Sequence, residues 1–403
     1  MREYILALVS LTTLFCTIVE SSAAQDPDEF REERLEGHLV TPAKITFDES
    51  LLEQVTLPDG FSINAFATDL ENPRMIVVSD DGTVFATIRE EDKVLALRDT
   101  NGDGQADQIT EVFSDIEMVH GVTIHNGELY LVNDKELYKA PLNENGEAGE
   151  LTLLTDDLPD GGQHPNRTIA FGPDNRLYIS VGSTCNACDE TNPEHATLLQ
   201  SDASGNDRTI YAEGLRNTIG FAWHPETEEL WGMDHGSDWR GDDIPEEELN
   251  LIEEGNHYGW PFVYGDQEID PYLSSEPEGM TREEFARQSE PPVMTYTAHT
   301  APMDMVFYDG DQFPEEYQND AFVAFRGSWN RKPAVGYKIS RIRFDDEGQP
   351  QEFEDFVTGF LQEDEDSQSH FGRLTGVAVH TDGSLLFTDD SNGVIYRVSY
   401  DGN

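Results

Sequence analysis

From about residue 51 the chain runs in short stretches of alternating apolar and polar positions, each broken by Asp, Asn or Gly. The clearest is HPNRTIAFGPDNRLYISVG, residues 164–182. A polar lead-in passes into an alternating run, a Pro-Asp-Asn turn, a second run and a Gly exit. Alternation with a period of two, bounded by turn residues, predicts paired strands. Similar stretches begin at Pro73, His120, Asn166, Asn217, Pro302 and Leu374. The first four recur at roughly 45–50 residues, close to the period of a propeller blade. The last two are spaced more widely because insertions intervene, notably around residues 258–298. Helical periodicity is scarce, and residues 281–288 read as a short surface helix. Radial repetition leaves only short, protected strand edges. The expected fold is all-β, a six-bladed β-propeller over residues 51–403. The strand at residues 61–67 is expected to close the ring against the last unit. A β-sandwich or a pair of smaller barrels is the competing architecture.

Ahead of the repeats the pattern changes. Arg2 precedes an apolar run over residues 4–19, followed by Ser21, Ser22, Ala23 and Ala24. A charged start, an apolar middle and small residues before a cut describe a secretory signal peptide, residues 1–24, cleaved after Ala24. The run is shorter than the roughly 18–20 residues that span a bilayer. No later segment is apolar enough for a membrane helix. Cys16 lacks the small residues usual before a lipidated Cys, so a lipoprotein is the disfavoured alternative. Residues 25–50 are polar and acidic and read as a loose extension. The mature chain is expected to be secreted or periplasmic.

Charge narrows the function classes. The chain carries 81 acidic against 25 basic residues, a net charge of −56. Phosphate backbones are bound by Lys and Arg, so this composition excludes a general nucleic-acid binder. The acids are spread over turns and strand faces. This suits a highly solvated surface in strong salt, where self-repulsion is screened within a few ångström, and a halophilic origin is expected. Cys185 and Cys188 form a Cys-Asn-Ala-Cys loop. Haem attachment would need His at 189, where Asp189 stands. One such pair cannot supply four zinc ligands. A loop disulfide and an open thiol pair are both compatible with the spacing.

The ordered set HPNRTIAFGPDNRLYISVGS, EGLRNTIGFAWHP, EELNLIEEGNHYGWP, GSWNRKPAVGYKI and GRLTGVAVHTDGSLLFTDD resembles the soluble glucose/sorbosone dehydrogenase family over about residues 55–400. The resemblance implies a six-bladed propeller that uses pyrroloquinoline quinone (PQQ) and Ca2+. It would oxidise an aldose or sugar aldehyde to a lactone or acid by hydride transfer to PQQ. Electrons would then pass to an external acceptor, since the chain has no haem motif. His164 stands at the position of the family's catalytic base, and a neutral imidazole suits that task. Arg216 would stabilise the developing oxygen charge.

PQQ carries three carboxylates, so its site needs fixed cations, and Arg offers a planar fork for them. The resemblance points to Arg216, Asn217, Arg331 and Arg373. In the Arg326–Lys332 run, Arg326 and Lys332 compete with Arg331 for that role. The carbonyls of Gly236 and Ser237 map to the cofactor's calcium, with Asp238, Asp242 and Asp243 adding negative potential. Tyr264, Asp266 and Glu268 map to a second calcium. His120 and Trp329 are expected to face substrate, with Trp239 a further stacking surface. One departure stands out: Ser183 occupies the position where the family's glucose enzymes carry an acid that orients the histidine. Separately, residues 99–107 resemble a calcium loop whose twelfth position is Thr110 rather than Glu. They fit a weak surface site or a solvated hairpin turn equally. A calcium-dependent lactonase or hydrolase and a non-catalytic binding propeller are the rival functions.

Overall fold

The computed structural model describes residues 37–364 and 367–402. The expected signal peptide, Cys16 and the first part of the acidic extension lie outside the described residues. Among those described, the chain folds into six four-stranded antiparallel sheets, with one small three-stranded and one two-stranded sheet beside them. The six begin on strands Pro73–Val78, Gly121–His125, Arg167–Phe171, Phe221–Trp223, Pro302–Phe307 and Leu374–Val379. Each of these starts within a few residues of a repeat start in the sequence.

Leading strands of successive sheets pack side by side. Gly121–His125 lies against Pro73–Val78 and Arg167–Phe171, and Pro302–Phe307 lies against Phe221–Trp223 and Leu374–Val379. Leu374–Val379 also packs against Pro73–Val78, bringing the last sheet onto the first. The outer strand of that last sheet is Phe61–Ala67, which pairs antiparallel with Val394–Tyr400 in the register Phe61↔Tyr400. The segment ahead of the first repeat thus completes the final sheet.

The second strands Val84–Ile88, Leu177–Val181, Leu230–Asp234, Ala321–Phe325 and Leu385–Asp389 are buried at every position. Apolar residues fill the spaces between sheets rather than one centre. Val84, Ala86 and Leu97 meet Leu386 and Ile395, while Trp231 and Leu249 meet Met305, Val323 and Phe325. Strands covered on both faces lose the apolar–polar alternation because neither face meets water.

The short helix is Arg282–Ala286, capped by Thr281 and Glu284 in a reciprocal capping box. Residues 37–50 are not loose. Ala43–Lys44 pairs in parallel with Ser369 and His370. Val40, Ile45 and Phe47 pack on the cluster that holds Phe360 and Tyr396. These few apolar residues, diluted among acids, anchor a segment whose mean polarity suggests none. No helix among the described residues is long and apolar enough to cross a membrane.

Candidate active site

The leading ends of the sheets converge on a cavity of about 280 Å³. His164, Asn217, Gly236, Glu247 and Trp329 line it, together with four arginines, Arg74, Arg216, Arg326 and Arg373. A wider cleft of about 670 Å³ lies between residues 38–42, 332–333 and 363–368. It holds neither His164 nor the arginine group, so the chemistry belongs to the smaller cavity.

His164 has a defined protonation geometry. Its Nδ1 lies 3.1 Å from the Ser183 carbonyl oxygen and 2.9 Å from Ser183 Oγ. A carbonyl only accepts, so Nδ1 carries the proton. Ser183 Oγ in turn donates to the Cys185 carbonyl at 2.7 Å, leaving its own lone pairs for the imidazole. The other ring nitrogen, Nε2, is therefore a bare acceptor. Burial, and after it the positive charge of Arg216, pushes the His164 pKa down to about 2. The ring is neutral at pH 7. The strand Leu177–Val181 delivers Gly182 beneath it, where a Cβ would sit 2.6 Å from His164 Cβ. Only glycine allows that approach.

Arg216 is 2 % exposed. Its Nε donates to the Asn186 carbonyl at 3.0 Å, and its Nη2 to Asn186 Oδ1 and Asp238 Oδ2, each at 2.9 Å. Its backbone N–H is held by Asp234. Nη1 makes no hydrogen bond to the described protein. Asn217 is buried beside it; its N–H donates to Asp234, and its carbonyl takes His235 Nδ1 at 2.7 Å. Arg373 reaches the Gly327 carbonyl at 2.9 Å. Asp390 binds both Arg74 and Arg326 and so places two more guanidinium groups at the cavity.

Two expected residues lie elsewhere. Arg331 turns away, to Asp243 at 3.0 Å and the Ala298 carbonyl, and Arg326 from the same run lines the cavity instead. Gly327, with φ of +100°, turns the chain directly after Arg326. His120 is 1 % exposed, with Nδ1 on the Arg167 carbonyl at 3.0 Å and Nε2 facing Arg74. It supports Arg74 from behind rather than lining the cavity. Trp329 does line it, and packs edge-to-face on Trp239 with centroids 5.1 Å apart.

The expected metal positions sit in acidic surroundings. Gly236 donates its N–H to Glu247 Oε2 at 2.9 Å, and Ala301 donates to Oε1. Burial raises the Glu247 pKa to about 8. A buried carboxyl whose hydrogen-bond partners are backbone N–H groups, with no ion pair to it among the described residues, fits a cation next to Gly236. Ser237 is buried, its Oγ donating to the Asn186 carbonyl at 3.3 Å. Tyr264 and Glu268 face each other across the small hairpin Val263–Tyr264 and Glu268–Ile269, with exposed Asp266 in its turn. Beneath it, Glu248 accepts from Gly265 N at 2.7 Å and is raised to about 8 by burial and then by Asp234. In residues 99–107, Asp99 takes the N–H groups of Gly102 and Gly104 at 2.7 Å, while Asp107 is turned onto Thr100. Cys185 and Cys188 are joined by a disulfide. Glu190 lies beside them but holds Thr184, and sulfurs bonded to each other are not thiolate ligands.

Sequence reasoning missed Arg74, Glu247 and Asn186. Arg74 carried a signal, because it follows Pro73 at the leading end of the first repeat, level with the other cavity residues. Glu247 opens the motif EELNLIEEGNHYGWP, but as one acid among 81 it was not singled out there, and Asn186 looks like any polar loop residue.

Residues 55–401 match the family described as TrAA12-like. The chain belongs to that family. This TrAA12-like protein is 29 % identical over 371 residues to an uncharacterised protein of Borreliella burgdorferi, covering 88 % of this chain and 93 % of the relative. It is 27 % identical over 197 residues to the aldose sugar dehydrogenase YliI of Escherichia coli, 49 % of this chain and 45 % of that one. Among solved structures, a Trichoderma reesei carbohydrate-active enzyme of family AA12 superposes with a TM-score of 0.73 at 21 % identity, covering 90 % of this chain and 98 % of that one. The PQQ domain of pyranose dehydrogenase from Coprinopsis cinerea does so with a TM-score of 0.73 at 17 % identity, covering 90 % and 100 %. At these identities the structural likeness speaks for the fold. The resemblance to soluble sugar dehydrogenases read from the ordered motifs holds across the matched span.

Proposed function

We propose that this chain is an exported six-bladed propeller that oxidises an aldose or related sugar aldehyde to the lactone or acid, using PQQ and Ca2+. The observation that carries the reading is a neutral His164 with a bare Nε2 in a cavity ringed by four arginines. A chain with a net charge of −56 spends its scarce cations there, as a site for a small polyanion requires. The six four-stranded sheets support the blade count.

The residues present fit the cofactor. Arg216, Arg373, Arg326 and Arg74 would hold its carboxylates, and the Gly236 and Ser237 carbonyls with Glu247 would hold calcium beside it. Tyr264, Asp266 and Glu268 are assigned a second, structural calcium. PQQ supplies the hydride acceptor when bound. The protein's own part is proton transfer and charge placement. His164 Nε2 takes the proton of the reacting sugar hydroxyl, while Ser183 keeps Nδ1 protonated so that the ring can stabilise the charge it gains. Arg216 Nη1 stands free to stabilise negative charge on the sugar oxygen, and its other nitrogens are held so that it need not reorganise. Trp329, 38 % exposed, offers an aromatic face at the rim for the sugar. Reducing equivalents leave to an external acceptor.

The test is to load the purified protein with PQQ and Ca2+ in high salt. The quinone absorbance on binding and dye reduction with a panel of aldoses are then measured. Quinone binding with sugar-dependent dye reduction is expected. No quinone binding and no dye reduction overturns the reading.

A further inference from the structure

We propose that the disulfide-closed loop Cys185, Asn186, Ala187 and Cys188 is a positioning element for this site. It sets the proton of His164 and the plane of Arg216, and so does the work of a carboxylate at position 183. The inference rests on the oxidation chemistry proposed above.

Ser183 alone orients an imidazole poorly. A hydroxyl can accept from Nδ1–H or donate to a bare Nδ1, and so stabilises either tautomer; a carboxylate can only accept. Here the Ser183 O–H is committed to the Cys185 carbonyl at 2.7 Å. Toward His164 the hydroxyl oxygen is left as an acceptor at 2.9 Å. The Ser183 carbonyl at 3.1 Å favours the same proton position. With the Cys185 carbonyl withdrawn, the hydroxyl would be free to donate to the ring and favour the wrong tautomer.

The next residue serves the other side chain. The Asn186 carbonyl and Oδ1 take Arg216 Nε and Nη2 at 3.0 and 2.9 Å. Asn186 is itself clamped: its Nδ2 donates to the Asp238 carbonyl at 2.8 Å, and its Oδ1 accepts Asp238 N–H at 2.7 Å. Trp260 Nε1 also donates to the Asn186 carbonyl, at 3.2 Å. Two consecutive residues therefore reach the base and the cationic stabiliser, and the Cys185–Cys188 bond closes the turn that presents them. None of the loop's residues belongs to an apolar cluster among the described residues. The hydrogen bonds of Cys185 and Asn186 described above are what tie it to the site.

The test compares the wild type with Cys185→Ser/Cys188→Ser and with Asn186→Ala. The first readout needs no cofactor: long-range 1H–15N spectra of 15N-histidine-labelled protein, with His164 assigned from the signals lost in H164Q. The wild type is expected to show Nδ1 protonated and Nε2 bare. The double variant should show a second tautomer, and adding Ser183→Asp to it should restore the first. In turnover assays both variants should lose about tenfold or more in kcat with a smaller change in KM, as expected for misplaced reacting groups. A folded double variant with an unchanged imidazole spectrum overturns the inference. So does unchanged kcat in Asn186→Ala, the variant that keeps the disulfide if the double variant fails to fold. A wild type that turns over no sugar overturns the oxidation reading, while the spectra still decide whether the loop sets the His164 tautomer.

Discussion

At the residue scale, the site rests on one proton. In the proposed chemistry His164 can act as a base only with Nε2 bare, and the Ser183 hydroxyl that faces its Nδ1 is itself committed to the Cys185 carbonyl. Replacing His164 with Ala should lower kcat by at least about a hundredfold while leaving the far-ultraviolet circular dichroism unchanged. Turnover within a few-fold of wild type would remove the base role. His164, Arg216 and Arg373 were legible because they fall within the ordered motifs that carry the resemblance to the soluble sugar dehydrogenases. Arg331 was not resolved from Arg326 by the sequence. The two flank a turn at Gly327, and which guanidinium reaches the cavity depends on Asp390 and Asp243, far away in the chain.

At the scale of elements, the strand ends carry the site. Gly182 closes the strand Leu177–Val181, and a Cβ there would meet His164 Cβ at 2.6 Å and Asn217 Oδ1 at 2.7 Å. Gly182→Ala should therefore cost about 1–3 kcal/mol in urea unfolding, as overpacking does, and should lower kcat by displacing His164. Unchanged stability and turnover would show that the approach relaxes freely. The Cys185–Cys188 bond differs in kind. Closing so short a loop removes only about 2 kcal/mol of unfolded-state entropy by the chain-entropy estimate. Its stability gain is small, so the variant without it tests chiefly the positioning role proposed for the loop. The repeat pattern located every leading strand, because alternation and turn residues act locally. The anchoring of residues 37–50 was hidden, because it depends on a few apolar side chains finding a distant cluster.

For the whole molecule, charge and burial govern response to solvent. Burial holds His235, His257 and His370 down to about 4. The unfolded chain takes up protons at these residues below about pH 6.5, so each draws stability down as pH falls toward its folded value. Burial pushes Asp304 and Asp389 up to about 7. Their sign is opposite: the folded state keeps protons that the unfolded chain has lost, and stability falls as pH rises toward 7. The two sets oppose each other between about pH 4 and 6.5. Carboxylates held low by hydrogen bonds, such as Asp81, Asp157 and Asp382, then lose their contribution below about pH 4. Thermal unfolding of the cofactor-free protein should show a plateau in the mildly acidic range and a steep fall on its acid side. Salt should raise the whole curve by screening the net charge of −56. Full stability without added salt would remove the halophilic expectation.

The sequence by itself determined the all-β character, the positions of the leading strands, the short helix and the histidine with two of its arginines. These follow from periodicity, turn chemistry and ordered motifs, all read within a few residues. Only the tertiary structure decided which arginines face the cavity, that His120 stands behind Arg74, that Cys185 and Cys188 are bonded, and which nitrogen of His164 holds the proton. The arginine, His120 and His164 outcomes depend on hydrogen bonds and burial supplied by segments remote in the chain, while the Cys185–Cys188 spacing was compatible with either redox state; no local pattern encodes the direction in which a loop side chain finds its partner.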